Sequence, residues 1–135
     1  MKTTVIIPLI LSLTAIISLF SANTYSQSPA ARQAYDAASD LYYSGNYDGA
    51  LKAYEQILKD FPTDILVPFV TVQTGFANFF LGNFDKSIQI LEKASTDPTT
   101  PKDLLPSIAA FLPQVYASKA AALQPNDPKR KEAFL

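Results

Sequence analysis

The chain has 135 residues, with 11 basic against 12 acidic side chains for a net charge of −1, and no cysteine, histidine or tryptophan. The missing Cys and His exclude a disulfide framework, thiolate or imidazole metal ligands, and Ser-His or Cys-His catalytic couples. Charge of neither sign runs in a long block, and the basic stripe of a nucleic-acid binder is absent, so neither nucleic acid nor a cofactor is expected as a partner.

Residues 1–26 differ from everything after them. Lys2 is followed by the uncharged, Ile- and Leu-rich run Val5–Phe20 and then by small and polar residues, with no further charge before Arg32. That order of basic, apolar and polar regions is the layout of an export signal. Ser18 with Ser21, and Thr24 with Ser26, each place small residues where cleavage needs them, so removal is expected after Ser21 or Ser26. The apolar run is shorter than the ~18–20 residues that span a bilayer comfortably, and Pro8 interrupts it. An uncleaved membrane anchor is the alternative. Removal leaves about 110 residues, enough for a modest core.

The remainder reads as helices. Ala34, Ala37, Ala38, Leu41 and Tyr42 recur at helical spacing from Ala31, and Gly45-Asn46 interrupts them. A second stripe holds Tyr47, Ala50, Leu51, Tyr54, Ile57 and Leu58 and ends at Phe61-Pro62. No period-2 alternation or hairpin dipeptide signals strands. The stretch Gly45-Asn46-Tyr47-Asp48-Gly49-Ala50-Leu51 then returns 37 residues later as Gly82-Asn83-Phe84-Asp85-Lys86-Ser87-Ile88. In each copy the glycine suits a tight turn between antiparallel helices, the aromatic packs across it, and the small residue allows close approach.

These residues resemble the tetratricopeptide repeat family, whose unit is a helix-turn-helix of about 34 residues. The resemblance implies an all-α fold, with antiparallel helix pairs stacked as a short right-handed solenoid after the N-terminal signal segment. The first repeat spans 31–64, with Ala38, Gly45, Tyr47, Ala50, Tyr54 and Pro62 at the family's structural places and Ala34 where a tryptophan is usual. A degenerate second repeat spans 68–101, with Gly75, Gly82, Phe84, Ser87 and Leu91 in the corresponding places and its prolines displaced to Pro98 and Pro101. The loop Thr63–Val67 is longer than the family norm. Residues 102–135 form an incomplete third unit. Lys102–Leu123 is expected as one helix with Pro106 near its start and a kink at Pro113. Asn126-Asp127-Pro128 then starts a short helix ending on Phe134-Leu135, which gives the end a truncated look.

The family binds partners on its concave side. The resemblance places Arg32, Tyr35, Ser39, Tyr42 and Tyr43 there from the first repeat, and Phe69, Val72, Phe76, Phe79 and Phe80 from the second. Such a lining suits apolar or aromatic peptide segments. Any one of Phe76, Phe79 and Phe80 is read first as core packed between adjacent repeats. The helix that carries them is apolar almost all round and must be covered on more than one side. The Lys and Asn with which some members clamp an acidic peptide terminus are replaced by Tyr35 and Ser39, and again by Val72 and Phe76.

Other polar features read as solvated surface. Asp36 and Asp40 could share a face with Glu55 or Asp60, Lys129-Arg130-Lys131 is a basic helix start, and Gly45–Gly49 lacks the carboxylates of a calcium loop. No metal site or catalytic residue is expected. The expected function is a non-catalytic protein–protein interaction scaffold, exported to the periplasm or cell envelope of a bacterium. The alternatives are a membrane-tethered assembly adaptor and the N-terminal part of a longer repeat protein. The expected partner is another protein or peptide segment, with self-association open and membrane contact only through an uncleaved N-terminal segment.

Overall fold

The computed structural model describes residues 26–123. Residues 1–25 of the expected export segment and the expected helix at 129–135 with its Asn126-Asp127-Pro128 start lie outside the described residues. Among the described residues there are five α-helices and no strand: α1 (Pro29–Tyr43), α2 (Tyr47–Asp60), α3 (Val67–Phe80), α4 (Phe84–Thr96) and α5 (Leu105–Ala122). Each helix packs against the next in sequence, the nearest-neighbour arrangement of a helical repeat stack.

Helix α1 starts at Pro29, ahead of the Ala31 suggested by the apolar stripe. Ser28 is its N-cap, with φ −70° and ψ 129°, and its hydroxyl accepts the Ala31 N–H. Proline at the first helical position already has helical φ and lacks a donor that would be unsatisfied there, so the Ser-Pro pair sets the start.

The two glycine turns are built alike. Gly45 and Gly82 have φ of 82° and 76°, the left-handed region that a Cβ disfavours. The Gly45 N–H donates to the Tyr42 carbonyl and the Asn46 N–H to the Leu41 carbonyl; Gly82 with Phe79 and Asn83 with Asn78 repeat that pair. This doubled bond closes the end of α1 and of α3 and reverses the chain within three residues. The copies differ in one polar detail. The Asn46 side-chain Oδ1 caps α2 by accepting the Gly49 N–H at 3.0 Å, whereas the Asn83 side-chain amide turns back and donates to Asn78 Oδ1 at 3.3 Å.

Small residues set the helix spacing. Ala38 on α1 and Ala50 on α2 are both fully buried, as are Tyr54 and Ile57 beside them. On the next pair, a Cβ added to Gly75 would stand 2.7 Å from Leu91 Cδ2, so α3 and α4 approach too closely for alanine without a shift. Ser87, the counterpart of Ala50, is fully buried and its hydroxyl has no hydrogen-bond partner. A second cluster of Val72, Ile88, Leu91, Ala94, Ile108 and Val115 continues the core into α5.

Between the pairs, the Phe61–Leu66 connection is organised by one carboxylate. Asp64 is 7% exposed; one of its oxygens accepts the Leu66 N–H at 2.9 Å and the other the Ser28 N–H at 2.7 Å. The last helix starts later than the Lys102 expected from sequence: Pro101–Leu104 form a turn, Leu104 is the N-cap and Pro106 lies in the first turn. Helix α5 runs through Pro113, which is exposed. The Ala109 carbonyl that loses its partner there is also on an exposed residue, where water can take the bond. Across the α4–α5 seam the Tyr116 hydroxyl donates to Glu92, and Lys119 pairs with Asp85 at 2.7 Å. No helix among the described residues is long and apolar enough to cross a membrane.

Candidate functional site

Helices α1 and α3 are alternate members of the stack, and their C-terminal ends meet through aromatic rings. Tyr42 lies edge-on to Tyr43 at 5.5 Å, to Tyr47 at 5.4 Å and to Phe80 at 5.9 Å. Tyr47 and Phe80 stack at 4.5 Å. The chain of rings continues through Phe79 to Phe84 at 5.9 Å and to Phe111 of α5 at 4.9 Å, and Phe111 also reaches Phe76 at 4.4 Å. One connected aromatic band therefore crosses from α1 to α5, mixing edge-on, tilted and stacked pairs that suit the ring quadrupole.

The expected binding residues divide along this band. Arg32, Tyr35, Ser39, Tyr42 and Tyr43 lie on α1 at three- and four-residue spacing and share a side of the helix. Tyr43 is 77% exposed, Arg32 is exposed and paired with Asp36 at 3.0 Å, and Tyr35, Ser39 and Tyr42 are half-buried. Tyr35 leans on the ring of Tyr54 at 6.2 Å, and the buried Tyr54 reaches across to donate its hydroxyl to Ser39 at 3.4 Å. The Tyr42 hydroxyl has its pKa pushed up to about 12, first by burial and then by the neighbouring phenols of Tyr47, Tyr54 and Tyr43. At neutral pH Tyr42 thus presents an un-ionised phenol, apolar in body and polar at the tip.

On α3 the expectation is corrected in part. Val72 is 2% exposed and belongs to the core between α3, α4 and α5, so it presents no surface to a partner. Phe76 and Phe79 are half-buried and packed on Phe111, because α5 supplies the cover that this apolar helix requires. Phe69 is also half-buried. Phe80 keeps 44% of its surface exposed and adjoins Leu81 at 37%. The surface these residues form is therefore Tyr35, Ser39, Tyr42 and Tyr43 from α1 with Phe80 from α3.

The described hollows lie elsewhere. One of about 460 Å³ is bordered by Asn83, Asp85, Lys86 and Lys119, and another of about 440 Å³ by Pro62, Asp64, Ile65, Pro68 and Pro101 at the opposite end of the helices. Among the described residues no group of three or more carboxylates is gathered as a metal site. Asp36 and Asp40 are exposed, with Asp36 held by Arg32.

Two contributors escaped the sequence reading. Phe111 carried no signal of its own, since a phenylalanine in an apolar helix is ordinary. Asp64 stood in a stretch read only as a long loop, although the Asp-x-Leu spacing is that of an Asp side chain accepting a backbone N–H two residues on.

Residues 32–64, which cover α1 from Arg32, the first glycine turn, α2 and the loop up to Asp64, match the family model for the tetratricopeptide repeat. No curated protein and no solved structure matches the chain.

Proposed function

We infer, for a chain whose residues 32–64 match the tetratricopeptide repeat model, a non-catalytic scaffold that captures a protein or peptide segment on the side of α1 carrying Tyr35, Ser39, Tyr42 and Tyr43, with Phe80 alongside. The observation that carries this reading is the tyrosine set: three phenols on one side of a helix, partly open to solvent and held by rings behind them. Tyrosine provides large apolar area with few rotatable bonds, so a pre-ordered set loses little entropy when a partner closes over it. Arg32, the one basic side chain of α1, is held by Asp36, and Asp40 beside Ser39 is acidic, which favours an uncharged apolar or aromatic segment over an acidic tail.

Export to a bacterial cell envelope belongs to the same proposal and is supported by Lys2, the apolar run Val5–Phe20 and the small residues before Arg32. The mass of the protein recovered from the envelope fraction tests it: an intact Met1 refutes cleavage, and a chain beginning at Ala22 or Gln27 supports it. Capture is tested by co-purifying partners with the wild type and repeating the pull-down with Tyr35→Ala/Tyr42→Ala. Anchoring tyrosines are expected to contribute roughly 2 kcal/mol or more together, enough to lose the partner. Unchanged capture by a folded double variant refutes this face.

A further inference from the structure

The first turns of α1 and α3 are tied together by a single side chain that lies outside the proposed binding face. Asp64 accepts the N–H of Ser28, the N-cap residue of α1, through Oδ2 and the N–H of Leu66, the N-cap residue of α3, through Oδ1. The carboxylate is 7% exposed, and hydrogen bonds to a charged acceptor are the strong kind. At the other ends of the same two helices, the ring of Tyr42 meets that of Phe80 at 5.9 Å. Helices α1 and α3 are thus pinned to each other at both ends, by a carboxylate at their starts and by aromatic rings at their finishes.

We propose that Asp64 is a positioning residue for partner binding, setting the separation and tilt of α1 against α3 and so the spacing of Tyr35 and Ser39 from the α3 side of the face. This inference rests on the reading that this face takes a partner. Its physical basis is leverage. A helix 15 residues long, released at one end and held at the other, turns about the held end, and the displacement is largest at the released turn. Arg32 and Tyr35 lie in the turns nearest the carboxylate; Tyr42 and Tyr43 lie at the ring-bound end. Loss of the Asp64 bonds therefore displaces the first half of the binding set while leaving the second half in place.

The contact at Ser28 is broken from either side. Ser28 has φ −70°, which proline adopts without strain, so Ser28→Pro deletes the N–H and the hydroxyl cap and sets the ring Cδ against the Asp64 carboxylate, pushing the two apart, and Ser28→Ala deletes the cap alone. Asp64→Asn is the second variant, since an amide nitrogen cannot accept an N–H. The chain has no native cysteine, so spin labels at Gln33→Cys and Gln73→Cys report the α1–α3 separation directly. The binding probe is a phage-selected peptide that binds the wild type and is lost on Tyr35→Ala/Tyr42→Ala. Ile57→Val, a core change that removes neither of the carboxylate's hydrogen bonds, serves as a control for simple destabilisation.

Ser28→Pro and Asp64→Asn are expected to shift or broaden the label distance and weaken the peptide by about tenfold. Ser28→Ala and Ile57→Val are expected to keep both the wild-type distance and the wild-type affinity. An unchanged distance, or peptide affinity equal in Ser28→Pro and Ser28→Ala, overturns the proposal. If Asp64→Asn does not fold, Asp64→Glu, which keeps the charge but moves the acceptor, decides together with the Ser28 pair. If every selected peptide survives Tyr35→Ala/Tyr42→Ala, the face itself is refuted, while the label distances still decide whether Asp64 sets the helix spacing.

Discussion

The rings of Tyr47 and Phe80 lie 4.5 Å apart and within 10° of parallel, although one opens α2 and the other closes α3. Tyr47 sits just after the Gly45 turn and Phe80 just before the Gly82 turn, so the aromatic of the first motif copy packs on the helix end that leads into the second copy. Tyr42 packs edge-on against both rings. A turn aromatic thus packs across its own turn and also onto the following repeat. A double-mutant cycle with Tyr47→Ala and Phe80→Ala should give a coupling of about 0.5–1.5 kcal/mol in favour of the pair. A coupling near zero in thermal or urea melts shows that the stack contributes only buried area.

Ala50 is fully buried where α2 meets α1, opposite the equally buried Ala38. Ala50→Phe should overpack that contact and destabilise the fold by about 1–3 kcal/mol. Lys52→Phe, two residues away and exposed, loses only the solvent-screened ion pair with Asp48 and should change stability little. Equal melting temperatures for Ala50→Phe and wild type contradict the register of the helix pair.

Ser87 occupies the same place in the second pair, but its hydroxyl is buried with no partner. A buried hydroxyl without a hydrogen bond is a cost, so Ser87→Ala should raise stability by about 1 kcal/mol. The first pair supports the choice, since Ala50 fills the matching position there. A lower melting point for Ser87→Ala refutes the prediction.

The motif copies at Gly45 and Gly82 made the two turns, the helix pairing and the buried small residues legible in advance, because each rests on local chemistry repeated in order. What spans repeats was not legible in the same way. Val72 and Tyr35 occupy equivalent places in the motif, yet Val72 is in the core and Tyr35 is half open. The difference is made by α5, which covers α3 as nothing among the described residues covers α1. The Asp64 bond to Ser28 joins residues 36 apart, a separation that no pattern within one helix encodes.

Alkaline pH should weaken the fold through two tyrosines. Tyr42 is raised from the ordinary 10.0 to about 12, chiefly by burial, and Tyr116 to about 12, chiefly by its hydrogen bond to Glu92. The folded state holds these protons more tightly than the unfolded chain does. Their contribution to stability is therefore complete below pH 10 and is lost as pH rises towards 12. Urea midpoints should be flat up to about pH 9.5 and fall beyond it, and Tyr42→Phe with Tyr116→Phe should flatten that fall. A midpoint that rises over the same range contradicts the sign.

The family's concave positions place Phe76 and Tyr43 on one binding face, and the structure separates their roles. Phe76 is packed on Phe111 at 4.4 Å and joins the cluster around Leu91 and Ile108, so removing its ring opens a gap between α3 and α5. Phe76→Ala should destabilise by about 3 kcal/mol, at the lower end of the range for a large core residue because the ring is only partly buried. Tyr43 is 77% exposed and meets the ring of Tyr42 edge-on at 5.5 Å. Tyr43→Ala should leave stability within about 0.5 kcal/mol of wild type and weaken capture of the partner. The two variants are compared by thermal melting and by pull-down at a temperature where both are folded. Stability loss in Tyr43→Ala, or full capture by it, removes Tyr43 from the proposed face, leaving Tyr35, Ser39, Tyr42 and Phe80 to carry the contact.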